Sequence, residues 1–517
     1  MSAAGEDVPE AGLVGGRKAV TAIALALGTF MQVLDTSIAN VSIPTISGNL
    51  GVSSDQGTWV ITSFAVANGV SVPLTGWLMQ RFGVVRTFVI SVALFTIASL
   101  LCGLAWSLPS LIAFRVLQGG VSGPMIPGSQ ALLINVFGPA KRPTALAIWS
   151  LTTLVAPIAG PLLGGYISDN YIWPWIFLIN IPVGMLCAFV CWTNLKSQET
   201  PTRKLPIDRV GLVLLFVWVG ALQIMLDKGK DLDWFNSPVI LVLLIITLIA
   251  FAAWLIWELT EKHPIVDLSL FKSRSFALGT AALCLGYAVF FGNIVLMPLW
   301  LQSYLGYTAT WAGLVSAPSG VSAILTSLLV SRLMHRFDAR ALAATSFALF
   351  AISYFMRAGL TSDATYLAYM APQVMQGFAM GLFFVAMLAV IFDGLPPQKI
   401  PAASGLSNFL RITAAGFATS LTTTFWDRRE ALHQTRLADT VSVYAPAYQQ
   451  SLTQLHQYGF NDQTAAGAMT QTLIGQSYLL SSLDLFYVSA WLCVALIPLC
   501  YLVRRPATTG AVAAAAD

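Results

Sequence analysis

A row of residues with polar side chains lies inside the first long apolar run of the sequence. The run extends from about residue 20 to 43, and a bilayer-spanning helix needs about 20 residues. The row follows the spacing i, i+3, i+4, i+7 and i+8 and consists of Gln32, Asp35, Thr36, Ala39 and Asn40. This spacing gathers the five residues on one helix face, which must therefore turn toward protein or a water-filled cavity rather than lipid.

Asp35 is the residue of this face that could do chemistry. A carboxylate at membrane depth costs on the order of 3 kcal/mol, and acidic residues kept there usually mark ion pathways. We therefore expect Asp35 to bind a proton or a cation. The alternative is a structural role, in which a buried Asp35 is hydrogen-bonded to a neighbouring helix.

A second charged side chain, Arg115, opens the run Arg115–Gly120 in another apolar segment. An intramembrane arginine needs a partner or a cavity, and Asp35 is the obvious carboxylate. A pair that forms in one conformation and separates in another would couple proton binding to conformation. The alternative is that Arg115 extends its head group to the membrane interface.

Other polar side chains in the apolar runs are candidates for the wall of a substrate cavity. The full set of these candidates is Gln32, Thr36, Asn40, Gln118, Asn408 and Arg411. Aromatic residues are abundant, but they also form interfacial belts, so none is assigned to substrate.

The composition is that of a polytopic membrane protein. Hydrophobic residues make up 56% of the 517 residues, charged residues only 10%, and the mean hydropathy is +0.74, whereas soluble domains carry about 25% charged residues. Helix is the structure that such uninterrupted runs allow. We predict 14 transmembrane helices, numbered as spans 1 to 14, near residues 19–43, 56–79, 84–106, 109–132, 142–167, 172–194, 208–227, 238–258, 275–302, 309–332, 339–359, 365–392, 400–425 and 479–503.

The sequence does not contain the usual signatures of an enzyme or a metal site. It has no paired carboxylates and no phosphate-binding glycine loop with its lysine. The four histidines are scattered, and all six cysteines lie inside apolar runs, so we predict no metal centre and no disulfide framework. A net charge of +4 gives no support to nucleic-acid binding. We predict no cofactor and an ion gradient as the energy source.

The distribution of lysine and arginine predicts the orientation. If the N-terminus is cytoplasmic, the inside loops and tails carry about four times as many basic residues as the outside loops, and basic residues favour the cytoplasmic side. Both termini are then cytoplasmic, which agrees with an even number of spans.

The last outside loop, 426–478, is predicted to be partly helical in 427–440 and 444–458. It either serves as a lid or docking surface or is simply solvated.

An internal repeat divides the chain. The matched segments are Leu78–Phe82 with Leu333–Phe337, Arg115–Gly119 with Gln373–Gly377, and Pro139–Lys141 with Pro397–Lys399. Their common order and similar spacing indicate two six-helix halves in the same orientation, with two helices inserted between them. The predicted organisation is a cytoplasmic tail 1–18, a first half 19–194, a linker with two inserted helices 195–274, a second half 275–503 that includes the loop 426–478, and a cytoplasmic tail 504–517.

Two glycine-containing motifs could serve conformational change. In the loop between spans 2 and 3, Gly76 and Gly83 allow tight turns, and Arg81 could pair with a helix end or a carboxylate; the alternative is simply a short basic loop on the cytoplasmic side. In span 5, small residues recur at every fourth position and two prolines lie among them, which suits a sliding contact between the halves; static packing is the alternative. The span 5 residues are Ala156, Pro157, Gly160, Pro161, Gly164 and Gly165.

These motifs resemble those of the major facilitator superfamily, and more narrowly the fourteen-span drug:proton antiporters of the EmrB type. The resemblance covers nearly the whole chain. Its carriers are Leu34–Val41 with Pro44, the loop Gly76–Arg86, Arg115 with Gln118 and Gly119, Gly160–Gly165, Trp173–Pro182, Trp257–Thr260 and Pro264–Leu268. The sequence departs from the family in one loop, where Gln80 replaces the usual acidic residue and Val84 or Val85 replaces a second basic one.

The resemblance implies a function, partners and a location. The function is export of lipophilic compounds against proton entry by alternating access across the bacterial inner membrane, with Asp35 and Arg115 in proton coupling. The partners are a periplasmic membrane-fusion adaptor and an outer-membrane channel. Other possibilities are an exporter of one endogenous metabolite such as a siderophore, a lipid mover, a membrane-embedded enzyme and a non-transporting receptor.

Overall fold

The computed structural model describes residues 15–138, 141–203, 206–294, 296–334, 336–440 and 446–503, and in this part of the chain the regular elements are helices without any strand. Most of the predicted tail 1–18 and all of the tail 504–517 lie outside the described residues. The same holds for Pro139, Ala140 and His335 of the repeat, for residues 441–445 of the outer loop, and for the side chains of Pro44 and Pro161.

Twenty α-helices follow one another in the described residues. They are α1 Gly16–Leu50, α2 Ser54–Gly57, α3 Trp59–Ser71, α4 Thr75–Phe82, α5 Val84–Gly103, α6 Leu108–Ser122, α7 Met125–Phe137, α8 Arg142–Asn170, α9 Trp175–Leu178, α10 Asn180–Leu195, α11 Arg209–Lys228, α12 Pro238–Thr260, α13 Arg274–Ile294, α14 Leu296–Tyr304, α15 Ala309–Leu333, α16 Ala339–Ala358, α17 Tyr366–Ile391, α18 Ile400–Thr440, α19 Pro446–Gln457 and α20 Asp462–Leu502.

Helix covers each of the fourteen predicted spans. Among the described residues, ten helices are long and apolar enough to cross a membrane, and the pair α3–α4, bent by 57°, could form an eleventh crossing. Predicted spans 4, 5 and 13 are helical but fall outside this set. Span 4 is divided between α6 and α7, several side chains of span 5 lie outside the described residues, and span 13 is rich in glycine, serine and threonine. The prediction of an all-α polytopic membrane protein is confirmed.

The same helix pairs pack together in the two predicted halves. In the first half α1 packs on α8, α3 on α6, and α5 on α6 and α10; in the second half α13 packs on α18, α15 on α17, and α16 on α17 and α20. Each of these pairs joins spans at equivalent positions of the repeat. This repeated packing is what a parallel repeat of two six-helix units predicts.

The inserted helices α11 and α12 pack against each other, and α11 contacts both halves. On the first half, Gly69 of α3 lies against Val219 of α11. On the second half, the Ser420 hydroxyl of α18 donates a hydrogen bond of 2.5 Å to the Leu226 carbonyl of α11. The insertion therefore bridges α3 and α18 from outside the two bundles.

The halves also contact each other directly at the end of the bundle that we predict to be cytoplasmic. A Cβ at Gly76 of α4 would lie 2.9 Å from the Cα of Ala402 in α18, so only glycine allows the two helices to approach this closely. The Arg142 guanidinium of α8 donates a hydrogen bond of 2.8 Å to the Phe392 carbonyl after α17.

At the opposite end, α18 and α20 continue beyond the predicted limits of spans 13 and 14. Helix in α18 runs to Thr440, and α19 and the first part of α20 follow, in agreement with the helical patterns predicted for the outer loop. Arg429 of α18 and Asp484 of α20 form an ion pair, and the His433 ring nitrogen lies 2.7 Å from the same carboxylate. These contacts hold the extension of α18 against α20.

Candidate functional site

Asp35 and Arg115 form a buried ion pair between α1 and α6. The Arg115 Nη1 donates to Asp35 Oδ2 at 2.6 Å, and both side chains are 0% exposed. Arg115 therefore does not extend to the membrane interface. The sequence predicted this partnership as one of two possibilities for Arg115, and the structure brings the two residues together.

Amide and hydroxyl groups from two further helices complete the surroundings of the carboxylate. Asp35 Oδ1 accepts hydrogen bonds from Asn180 Nδ2 at 2.9 Å and from Gln118 Nε2 at 3.1 Å. Both amides also reach Ser99 Oγ, at 3.0 and 3.3 Å. We call the group Asp35, Ser99, Arg115, Gln118 and Asn180 the first polar cluster. It ties together α1, α5, α6 and α10.

The guanidinium of Arg115 makes further contacts within the first half. Nη1 also donates to Gln118 Oε1 at 2.7 Å, and Nε donates to the Val60 carbonyl at 3.0 Å. The Phe64 ring lies 4.3 Å from the guanidinium carbon, a distance at which cation–π attraction is favourable. Nη2 is buried and has no hydrogen-bond partner among the residues that the structure describes. Arg115 is thus held by many groups, of which only Asp35 carries a charge.

The remaining residues of the predicted polar face of α1 have different surroundings. Gln32 is buried, and its Oε1 has no hydrogen-bond partner in the described part of the chain. The Thr36 hydroxyl donates to the Gln32 carbonyl at 3.2 Å, while Asn40 is exposed. Of the predicted cavity candidates, Gln118 belongs to the first polar cluster rather than to an open wall.

Asn408 and Arg411 are buried in α18, where the two halves meet. Asn408 Nδ2 donates to Gln130 Oε1 of α7 at 3.2 Å, and Asn408 Oδ1 accepts from Arg411 Nη2 at 2.9 Å. The Arg411 guanidinium carbon lies 4.5 Å from the centre of the Tyr287 ring and 6.0 Å from that of Trp149. Both predicted candidates therefore contact residues at the junction of the halves.

A second polar cluster in the second half was not predicted. Arg357 of α16 is buried and donates to Gln373 Oε1 at 3.0 Å and to Gln376 Oε1 of α17. Separately, Asn293 Nδ2 of α13 donates to Ser489 Oγ of α20 at 2.9 Å. We call these two hydrogen-bonded groups together the second polar cluster: Arg357 with Gln373 and Gln376, and Asn293 with Ser489.

The repeat contains the signal that would have found this second cluster. Four of its members each lie 258 residues after a member of the first: Asn293 after Asp35, Arg357 after Ser99, Gln373 after Arg115, and Gln376 after Gln118. The same spacing of 258 relates two of the three pairs of matched segments in the repeat, and the third pair is 255 residues apart. Ser99 and Asn180 were missed for a different reason, since a single polar residue in an apolar helix usually bonds to its own backbone.

The small residues of span 5 pack differently from the prediction. Gly160 of α8 lies against Ser37 of α1, and a Cβ at Gly164 would lie 3.3 Å from the Ile38 Cα. The Ser37 hydroxyl donates to the Pro157 carbonyl at 3.2 Å. The close approach is thus within the first half, and the expected sliding contact between the halves is not made by these glycines. Ala156 is buried with the same group, while Gly165 faces open space.

The loop between spans 2 and 3 is held by a carboxylate from elsewhere in the chain. Gly83 has a φ of +93°, a conformation that favours glycine. The backbone N–H groups of Val85 and Arg86, which follow Gly83 in the sequence, donate hydrogen bonds to Glu199 at 3.0 and 2.8 Å. Glu199 therefore caps α5 where anions are stabilising, in a loop that has Gln80 in place of the usual acidic residue. Arg81, the third predicted residue here, lies over the rings of Trp77 and Phe82.

Comparison with known families decides what kind of protein carries this site. The family model described as Major Facilitator Superfamily matches residues 25–419, which is most of the chain. The chain belongs to the major facilitator superfamily. It is therefore a multi-pass membrane protein of a transporter family, as the motifs of its spans indicated.

Curated relatives narrow the resemblance within the superfamily. The chain is 48% identical to the multidrug export protein EmrB of Escherichia coli K12 over 96% of its own length and 98% of that protein. It is 45% identical to the fatty acid resistance protein FarB of Neisseria gonorrhoeae over 96% and 98% of the two chains. These findings confirm the predicted resemblance to the EmrB type.

Solved structures support the fold alone. A bacterial homolog of the human lysosomal transporter Spinster, in an inward-facing and unoccupied conformation, matches with a TM-score of 0.51 and 14% identity, covering 95% of this chain and 98% of that one. The major facilitator fold predicted from the sequence is therefore confirmed.

Proposed function

We propose that this protein exports lipophilic, toxic compounds across the bacterial inner membrane in exchange for protons, by alternating access of two six-helix halves. The observation that carries the proposal is the fully buried pair of Asp35 and Arg115. A carboxylate at membrane depth is costly and is kept where an ion is bound. The export of lipophilic compounds is supported by the high identity to a multidrug export protein over almost the whole chain.

The contacts of Asp35 suggest how a proton could change the conformation. Among the described residues, Asp35 is the only charged partner of Arg115, so protonation of Asp35 leaves a buried cation. Removing one partner of a buried ion pair typically costs about 3–5 kcal/mol. The protonated state therefore favours a rearrangement in which Arg115 finds other acceptors, and α1 moves relative to α6. A difference in stability of this size is enough to shift a two-state equilibrium.

The energy source in this proposal is the proton gradient, with no cofactor. A membrane potential supplies about 2.3 kcal/mol per charge per 100 mV. One proton per cycle thus provides energy comparable with the change in stability at Asp35. Release of the proton on the cytoplasmic side would restore the ion pair and reset the first half.

The proposal includes a periplasmic adaptor and an outer-membrane channel as partners. In support, α18 extends 15 residues beyond residue 425 to Thr440, about 22 Å at 1.5 Å per residue. With α19 and the start of α20 it forms a helical surface outside the predicted spans. Cysteines placed along α19 should cross-link to a co-expressed adaptor; cross-links confined to other surfaces would speak against docking here.

The decisive experiment measures accumulation of a lipophilic dye in inverted membrane vesicles, with and without an imposed pH gradient. We expect Asp35→Asn to insert normally and to lose gradient-dependent uptake. The matched control is Asp462→Asn, which removes a carboxylate that is 91% exposed at the start of α20 and should leave uptake unchanged. Gradient-driven uptake by Asp35→Asn at the normal rate would refute the coupling role.

A further inference from the structure

The loop that joins the inserted helices α11 and α12, residues 229–236, has a strained backbone. Asp233 and Trp234 have φ values of +54° and +50°, in the left-handed region that costs free energy for residues other than glycine. They are the residues other than glycine with positive φ in the part of the chain that the structure describes. Such conformations persist only where the surrounding contacts hold them. We call residues 229–236 the hairpin loop.

The hairpin loop folds back on itself and contacts the second half. The Trp234 backbone N–H donates to the Gly229 carbonyl at 2.7 Å, and a Cβ at Gly229 would lie 2.7 Å from the Trp234 ring. The Trp234 indole Nε1 donates to Thr424 Oγ1 of α18 at 2.8 Å, and Lys230 Nζ lies 2.9 Å from Asp427 Oδ2 of the same helix. The strained turn therefore presents Trp234 and Lys230 to α18.

The residues just before the hairpin loop contact the first half. Lys228 Nζ donates to Thr58 Oγ1, directly before α3, at 3.1 Å. The Thr62 hydroxyl of α3 donates to the Asp227 carboxylate. Because α11 also packs along α3, we expect the inserted helices to move with the first half. The contacts of the hairpin loop with α18 are then the ones that change when the halves move relative to each other.

These contacts exist in an arrangement whose opposite end is closed. At the predicted cytoplasmic end, α4 and α18 approach so closely that a Cβ at Gly76 would lie 2.9 Å from the Ala402 Cα. If the halves rock as rigid bodies, opening this end also moves their outer ends relative to each other. The hydrogen bond from Trp234 to Thr424 thus accompanies a closed cytoplasmic end.

We propose that the hairpin loop is a strained latch, which holds α18 while the cytoplasmic end is closed and releases it when that end opens. The proposal rests on the alternating access proposed above and adds to it a device that lies outside the two halves. On release, Asp233 and Trp234 return to negative φ, and this relief of strain offsets part of the free energy lost with the hydrogen bond to Thr424. Neither arrangement is then locked.

The test is double electron–electron resonance between spin-labelled noncanonical residues at positions 82 and 337 of the intact protein in nanodiscs. Phe82 and Phe337 are exposed and occupy matching positions of the repeat in different halves, so their separation reports opening of the cytoplasmic end. Trp234→Phe removes the indole donor and should raise the ratio of open to closed molecules about fivefold. Asp233→Gly adopts a positive φ without strain and should lower this ratio about fivefold.

Two control variants match these changes. Trp311→Phe alters a tryptophan whose ring packs on Tyr366 within the second half. Asp231→Gly places a glycine in the hairpin loop at a residue that does not have a positive φ. Neither should change the ratio by more than about twofold, as is usual for surface substitutions.

The ion pair provides a third test, which leaves the strained backbone unaltered. Lys230→Glu should raise the ratio about two- to fivefold by repulsion from Asp427, and the exchange Lys230→Glu/Asp427→Lys should restore it. Shifts in the same direction by Trp234→Phe and Asp233→Gly would overturn the proposal. So would a ratio that is unchanged in these two variants and in Lys230→Glu.

The outcome is separable from that of the transport experiment. The distances are measured without a pH gradient and without dye, so failure of proton coupling would leave the opposite shifts of Trp234→Phe and Asp233→Gly intact. Conversely, gradient-dependent dye uptake by the wild-type protein and its loss in Asp35→Asn would stand even if the hairpin loop failed its test.

Discussion

Two buried polar clusters occupy equivalent positions in the two predicted halves, and they differ in charge. The first contains Asp35 paired with Arg115, whereas the second has Asn293 at the position of Asp35 and Gln373 at that of Arg115. The second still holds an arginine, Arg357, bonded to two glutamine amides. Helices at the same positions of the repeat thus build one cluster with a carboxylate and one without.

This difference in charge determines which half contains a side chain that can bind a proton. Asp35 carries a carboxyl group, which becomes neutral when it binds a proton. Arginine keeps its charge in proteins, and the amides of Asn293 and Gln373 do not titrate. The second cluster also shows that a buried arginine can be held by amide oxygens, without a carboxylate bonded to it among the described residues. Under the proposed proton coupling, the first half is therefore the one that contains the group responding to protons.

The largest effect is expected when the carboxylate is moved from one cluster to the other. The double variant Asp35→Asn/Asn293→Asp keeps the number of carboxylates but removes the one beside Arg115. We expect gradient-dependent dye uptake to stay at the background level in inverted vesicles, while Asn293→Asp alone keeps it. Recovery of uptake in the double variant would mean that the two clusters are interchangeable.

A large loss of stability is expected when the arginine of the pair is replaced. Arg115→Met leaves Asp35 buried without its cation, which should lower the free energy of unfolding by about 3–5 kcal/mol. Adding Asp35→Asn should restore most of this loss, because the unpaired charge is then removed. Unfolding in mixed micelles with increasing SDS measures both variants, and a double variant no more stable than Arg115→Met would contradict a charge-based explanation.

A smaller effect separates the hydrogen bonds of the two clusters. Asn180→Ala removes an amide that donates to the charged Asp35, so we expect a loss of about 1.5–3 kcal/mol and altered gradient dependence of uptake. Ser489→Ala removes an acceptor of the neutral Asn293 and should cost about 0.5–1.5 kcal/mol, without affecting coupling. Equal losses of stability, with uptake unchanged in both variants, would remove the distinction between the clusters.

The sequence predicted the spans and the main charged pair because both depend on strong local signals. Apolar runs of about 20 residues leave few alternatives to membrane helices, and an intramembrane charge requires a partner. Asp35 and Arg115 were the obvious candidates for each other. The second cluster could also have been found, since four of its residues follow the repeat spacing. However, Arg357 stands at the position of the uncharged Ser99, so a search for identical residues in the two halves does not reveal it.

Other features of the site depend on which helices are neighbours, and a single sequence does not specify this. The spacing of Gly160 and Gly164 predicts that some helix approaches α8 closely, but a small-residue face does not identify its partner. The structure places α1 there, within the same half. Similarly, Glu199 lies in a connector that is far in sequence from α5, and only the folded chain brings its carboxylate to the start of that helix.

The inserted helices make the two seams between the halves unequal. Along one seam α11 covers the boundary between α3 and α18, while along the other α8 and α15 contact each other directly. A lipophilic molecule dissolved in the bilayer therefore meets α11 in front of the boundary on one side and two helices in direct contact on the other. We expect such a molecule to enter from the lipid beside α8 and α15, so that the transporter draws its cargo from one sector of the surrounding membrane.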